Sequence, residues 1–385
     1  MHQEFSEIGH CGGKFSINVK TDEAGNRSVS IGMRISNANP ASLIGVAVNS
    51  DGEPVRITRL GGWVANSEAE KPEPEPVFIQ ALLASDRTGM FGHECPNCEK
   101  YWRTNSFSAI WHTVCPYCGV RAAPHYFLTQ GHRAFLKNLT QRFHEALGYP
   151  DDGEHIIDMD EVVSAVQDGK EPPAFYKADE SQQTNFKCKK CGTRNDVLGR
   201  YGFCSSCGYR NNLDQIEIQL DDLKKRIGTG NINPTEAIKL IVSVLDSGGA
   251  DYVKLLVRLV PMTESRRKTA ERIKFHNLDY FDSELQSCFD IQVKKNISDD
   301  DQTLLKRMFL RRHVYEHCGG VVDDEYIKRS GDVDVRNGQE IRENMDTALK
   351  FSSLVTKLAR NLDDGFHEII PINHEVIQML KPRRN

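Results

Sequence analysis

Between residues 13 and 60 apolar and polar positions alternate in short runs. KFSINVK, SVSIGMRI, LIGVAV and PVRITRL are rich in β-branched residues and are separated by EAGN, NANP and NSDGEP. Alternation with a period of two, bounded by turn residues, predicts half-buried strands. A small β domain is expected over 1–67. EAEKPEPEP (68–76) alternates Pro and Glu and reads as an extended, solvated stretch, so 68–91 is taken as linker and lead-in. The period changes at 132–148. There Phe135, Leu136, Leu139, Phe143 and Leu147 follow helical spacing, and Gly148 and Pro150 are stop signals. Residues 151–185 are acidic and poor in aromatics, and read as a linker with one short helix, DEVVSAVQ. From 213 to 383 the pattern is mostly helical. Helices are predicted near 213–227, 234–247, 250–260, 264–275, 299–317 and 343–361.

Composition narrows the class. The chain has 385 residues, 39% hydrophobic and 27% charged, with a net charge of -5 and a pI near 6.2. That describes a globular chain of two or three domains, not a general polyanion binder, so any nucleic-acid contact needs a local basic patch. No apolar run reaches the roughly 20 residues that cross a bilayer. MHQEFSEIGHCGG lacks a basic stretch followed by an apolar one, so no secretory signal is expected and the expected location is cytoplasmic.

Eight of the eleven cysteines form four C-x2-C pairs: Cys95/Cys98, Cys115/Cys118, Cys188/Cys191 and Cys204/Cys207. Cys11, Cys288 and Cys318 are left over and carry no assigned role. An odd count in a reduced compartment favours metal over disulfides. CPNC-x16-CPYC and CKKC-x12-CSSC each present two turns of two thiolates, enough for a tetrahedral sulfur site that selects zinc. Glycines 119, 192 and 208 follow three of the pairs and suit a tight turn. Four cysteines leave no position for water, so two structural zinc ions per chain are expected, in ribbons over 92–150 (with its helix) and 186–212. Tyr101, Trp102, Phe107, Trp111 and Tyr117 surround the first; Lys187, Lys189, Lys190, Arg194, Arg200 and Arg210 surround the second. Aromatics stack on bases and cations follow phosphates; the plain alternatives are packing and a solvated surface.

DDQTLLKRMFLRRHVYEHCGG (300–320) has an acidic start and a Gly-Gly stop, both helix signals. At about 100° per residue, Leu304, Leu305, Met308 and Phe309 form one stripe, and Arg312 falls in its middle. A guanidinium there needs an anion or an opening to water. Leu310, Val314 and His317 form a second stripe roughly 140° away, which points to a partner and hence to a homodimer through the helical domain. A cleft holding Arg312 and His317 suits RNA cleavage. The imidazole moves a proton to or from a ribose 2′-OH or 5′-oxygen, and the guanidinium holds the phosphate.

Arg312-His313-Val314-Tyr315-Glu316-His317 resembles the R-x4-6-H motif of HEPN domains (higher eukaryotes and prokaryotes nucleotide-binding). The likeness extends loosely over about 234–365. It implies a dimeric α-helical bundle over 213–385 and a metal-independent endoribonuclease, with Arg312 and His317 as catalytic pair and His313 assisting. Products would be 2′,3′-cyclic phosphate and 5′-OH ends. It also implies a toxin–antitoxin, abortive-infection or antiviral setting. Two rivals stand beside it. One is a non-catalytic adaptor that binds nucleic acid or protein. The other reads His313 to His317 as H-x-x-E-H, a zinc-peptidase motif whose third ligand would be Glu340, Glu343 or Glu368. The expected fold class is multidomain α+β: a small β domain, two zinc ribbons and a HEPN-like helical bundle.

Overall fold

The computed structural model describes residues 8, 12–35, 42–59, 76–86, 88–105, 113–167 and 183–380. It is a mixed α/β structure with small sheets, and it divides into two compact units, Met1–Tyr209 with Asn373–Asn385, and Arg210–Ile372.

In the first unit β1 (Lys14–Thr21), β2 (Arg27–Arg34), β3 (Leu43–Val48), β4 (Pro54–Arg59), β5 (Ile79–Ala84), β6 (Phe91–Glu94), β7 (Tyr101–Thr104), β8 (Thr113–Val114) and β9 (Arg121–Ala122) precede α1 (Gln130–Gly148). Then come β10 (Gly153–Asp158), α2 (Met159–Gln167), β11 (Gln183–Lys187) and β12 (Arg194–Leu198). β1 and β2 form a hairpin because Asp22 Oδ1 accepts the Ala24 and Asn26 N–H groups at 3.0 and 2.7 Å, and Gly25 takes φ 81°. Phe15, Ile17 and Val19 of β1 are buried. Their partners on β2, Met33, Ile31 and Val29, lie exposed along the sheet edge. On the other side of β1 runs β10, antiparallel, with Ile157 opposite Phe15.

A second sheet has the order β4-β3-β5. One core joins these strands to Phe135, Leu136, Leu139 and Phe143 of α1 and Val162, Val163 and Val166 of α2. Phe143 meets Phe15 edge-on at 5.1 Å. Two stretches therefore differ from the linkers expected over 68–91 and 151–185. Residues 79–84 and 153–158 are paired strands, and 159–167 is a core helix that includes the expected DEVVSAVQ. Single buried residues such as Ile157 carry the second stretch, and a composition average over acidic neighbours hides them.

The second unit is helical among its described residues: α3 (Asn212–Gly228), α4 (Pro234–Leu259), α5 (Glu264–Glu271), α6 (Leu278–Phe289), α7 (Asp299–His317), α8 (Asp324–Ser330) and α9 (Met345–Ile369). Asparagine and serine side chains start several of them; Asn233, Asn277, Ser298 and Asn344 each accept a first-turn N–H. α3, α4 and α9 pack on one another, and α7 packs on α4, α8 and α9. Phe309 of α7 sits edge-on between Phe281 and Phe351, at 6.0 and 5.7 Å. The two helices expected at 234–247 and 250–260 are one helix, α4. Gly248 and Gly249 do not break it, because Gly249 lies where a Cβ would come within 2.7 Å of the Phe275 ring. The glycine admits the ring instead of ending the helix. α10 (His374–Leu380) belongs to the first unit.

Candidate functional site

Three of the four cysteine pairs sit in turns between consecutive strands: Cys95/Cys98 between β6 and β7, Cys115/Cys118 between β8 and β9, and Cys188/Cys191 between β11 and β12. All four pairs make the same backbone turn. The first cysteine's N–H reaches the carbonyl five residues on, Lys100, Val120, Thr193 or Tyr209, at 2.7 to 3.1 Å. Its own carbonyl accepts from the residue after the second cysteine. That residue is Glu99, Gly119, Gly192 or Gly208, always with φ between 55° and 81°. Glu99 thus holds a left-handed conformation that glycine fills in the other three turns.

The sulfurs gather into two groups, Cys95, Cys98, Cys115 and Cys118, and Cys188, Cys191, Cys204 and Cys207. Across each group the Sγ–Sγ separations are 3.6 and 3.7 Å in the first and 3.6 and 3.5 Å in the second. Four thiolates about 2.3 Å from a tetrahedral ion lie about 3.8 Å apart, whereas a disulfide needs about 2.05 Å. Both groups fit a zinc ion, and all eight cysteines are unbridged. Trp102 is fully buried against Phe127 in the first ribbon's core, and Tyr117 bonds Tyr101 O and Leu198 N–H. These aromatics pack the ribbon. Phe107 and Trp111 lie outside the described residues. Lys187, Lys189, Lys190, Arg194 and Arg200 are exposed, but Arg210 is buried and paired with Asp251 at 2.7 Å, so it is not part of a basic surface.

α7 holds the other candidate residues. Arg312 is half-buried, and its anion is Glu316, one turn on, to which Nη2 donates. The same carboxylate oxygen lies 3.9 Å from His317 Nε2. His313 and His317 are exposed, with ring centroids 4.7 Å apart. Burial, then the neighbouring His317 and Arg312, hold His313 below its ordinary value of 6.5. A groove of about 490 Å³ opens beside them. Lys306, Arg312, Lys328 and Arg329, with His276 and His313, face it, and among the described residues Asp279 is the one acid on its wall. Leu278, Phe309 and Leu310 give it an apolar floor. Of the second stripe, Val314 is buried within its own chain, Leu310 lines the groove and His317 is exposed.

The sequence gives no anchoring role to the residues that hold this end of α7. Arg311 donates to Tyr326 OH, Glu343 Oε1 and Asp332 Oδ2 at 3.0, 2.9 and 2.7 Å. Tyr326 OH also donates to Asp332 at 2.7 Å, and Tyr315 OH donates to Glu343. Burial would lower the Arg311 pKa, but Asp332 and Glu343 outweigh it and push it up. Burial is opposed in the same way at Asp332, which Arg311 and Tyr326 hold below the usual carboxylate range. Burial and then Asp332 raise Tyr326 to about 12. Nothing in local spacing connects residue 311 to 332 and 343.

Among the described residues only the two cysteine groups bring three or more metal-ligating side chains together. His313 and His317 have no third ligand beside them, and Glu343 is engaged by Arg311 and Tyr315. Among the described residues, the H-x-x-E-H stretch does not gather three ligand atoms into one group. No helix among the described residues is long and apolar enough to cross a membrane. Compared with protein-family models, with curated proteins and with solved structures, the chain matches none.

Proposed function

We propose that the helical unit is a metal-independent endoribonuclease and that the two cysteine groups hold structural zinc. The observation that carries this reading is the cationic groove, with Arg312 and His313 on its wall and His317 exposed one turn away. An RNA strand lying there is held by Lys306, Lys328 and Arg329 through its phosphates. Arg312 leaves Glu316 for the scissile phosphate and stabilises the charge added in the transition state. His317 and His313 exchange the protons. One takes the proton of the 2′-OH as it attacks the phosphorus, and the other returns one to the departing 5′-oxygen. The ends are a 2′,3′-cyclic phosphate and a 5′-OH, and DNA is untouched because it has no 2′-OH. Zinc, bound by cysteine alone, folds the ribbons and takes no part in this step. The HEPN resemblance rests on the R-x4-H residues. A regulated toxin or antiviral role follows from that resemblance; pairing of two chains through the helical unit rests on it and on the second stripe of α7, and a cytoplasmic location on the N-terminal sequence.

A second reading has its own support. Arg312 is already paired with Glu316, as in a groove that binds RNA or another polyanion without cutting it.

End-mapping of total RNA incubated with the protein separates the two. Cyclic-phosphate ends that vanish with His317→Ala, by at least about 100-fold in rate, are expected under the first. Binding without new ends, identical in wild type and variant, establishes the second.

A further inference from the structure

The two cysteine groups are not separate ribbons. β7, which follows the first turn of one, pairs with β12 of the other, so that β11-β12-β7-β6 is a single sheet. Across this seam Arg103 donates to Asp196 Oδ2 through Nε at 2.8 Å, and both side chains are buried. Thr104 Oγ1 donates to Arg194 O at 3.0 Å and accepts from Ser205 Oγ at 3.1 Å.

The metal-binding turns also touch directly. Val114 N–H reaches Ser205 O at 2.8 Å, and Phe203 N–H reaches Pro116 O at 2.9 Å. Pro116 lies between Cys115 and Cys118, and Ser205 between Cys204 and Cys207. One turn of each group, Cys115/Cys118 and Cys204/Cys207, is thus hydrogen-bonded to a residue beside a turn of the other group. Opening the first group disturbs β7 and with it the buried Arg103–Asp196 pair across the seam. Opening the second disturbs the bonds that Ser205 O and Phe203 N–H make with Val114 N–H and Pro116 O, beside Cys115. Buried polar groups left without partners are costly.

We infer that the eight cysteines form one obligate two-zinc unit, in which neither group keeps its metal once the other has lost its own. This rests on the zinc reading but not on the nuclease reading. It makes the ribbon pair a two-position device, fully loaded or empty.

The test is stepwise withdrawal of zinc from the intact chain by a graded chelator, followed by native mass spectrometry. The starting protein must carry two zinc ions; finding none would overturn the metal assignment itself. With coupled sites the one-zinc species stays under about a tenth of the population throughout, whereas independent equal sites would let it reach half. A one-zinc species that accumulates toward half overturns the inference. Cys98→Ser gives a second readout on folded protein. Zinc content is expected to fall from two to near zero, and a variant that keeps one zinc overturns the coupling.

Discussion

Glu99 shows how much one residue's conformation can say. Its φ of 55° copies the glycines at 119, 192 and 208, and a side chain in that region stores strain. Glu99→Gly is expected to stabilise the first unit by about 1 kcal/mol, read as a higher denaturant midpoint or melting temperature. His313 offers a second single-residue test. Its midpoint lies below 6.5, first through burial and then through His317 and Arg312. The folded state therefore binds this proton less readily than the unfolded chain. His313 thus costs the fold nothing at neutral pH and destabilises it as pH falls through and below 6.5. An NMR titration of the ring should place the midpoint below 6.5, and His317→Ala should raise it by removing a like charge. A midpoint that does not move on that substitution would contradict the stated electrostatics. At this scale the sequence was a good guide to the cysteines. It was a weaker one to Arg312, whose expected anion is Glu316 on the same helix.

At the scale of elements, α7 is held by a network that no periodicity describes. Arg311 joins α7 to Tyr326 of α8, to Asp332 just beyond it and to Glu343 before α9. Removing one partner of a buried ion pair costs about 3–5 kcal/mol, because the other charge is left unpaired. Arg311→Ala should lower unfolding stability by that order in a urea titration. It should also depress any RNA cleavage without touching the groove, since the end of α7 loses its anchor. Arg311→Lys should recover only part of this, because an ammonium cannot reproduce three directed donors. The same scale explains what the hydrophobic pattern revealed. α1 and α7 read correctly because apolar residues recur every three or four positions along them. α4 reads as two helices because Gly248-Gly249 signals a break locally, while the Phe275 ring makes the glycine a packing requirement. α6 does not stand out in the sequence because its buried Leu278, Phe281, Leu285, Cys288 and Phe289 are interleaved with acids.

For the whole molecule, the count of metal ions separates the nuclease from the peptidase with one measurement. Two zinc ions per chain are expected, both held by cysteine alone; a third would favour the H-x-x-E-H peptidase, for which the described residues place no third ligand with His313 and His317. Substituting His317 should leave that count at two. Stripping metal would not test the nuclease chemistry, since it is expected to open the first unit's ribbon sheet at the same time.

What the sequence alone determined is what depends on residues close together in the chain: the C-x2-C turns, the strand alternation of 13–60, the helix ends, and the chemical types at Arg312, His313 and His317. Turn geometry and amphipathic period are local properties, so local sequence carries them. Only the tertiary structure decided that the two cysteine groups share a sheet, that residues 153–167 complete a core that also holds Ile8 and Phe15, and that Arg311 turns to Asp332 and Glu343 while Arg312 meets a groove. Each of these joins residues far apart in sequence. Whether a charge is buried, paired or facing solvent depends on which distant segments arrive beside it.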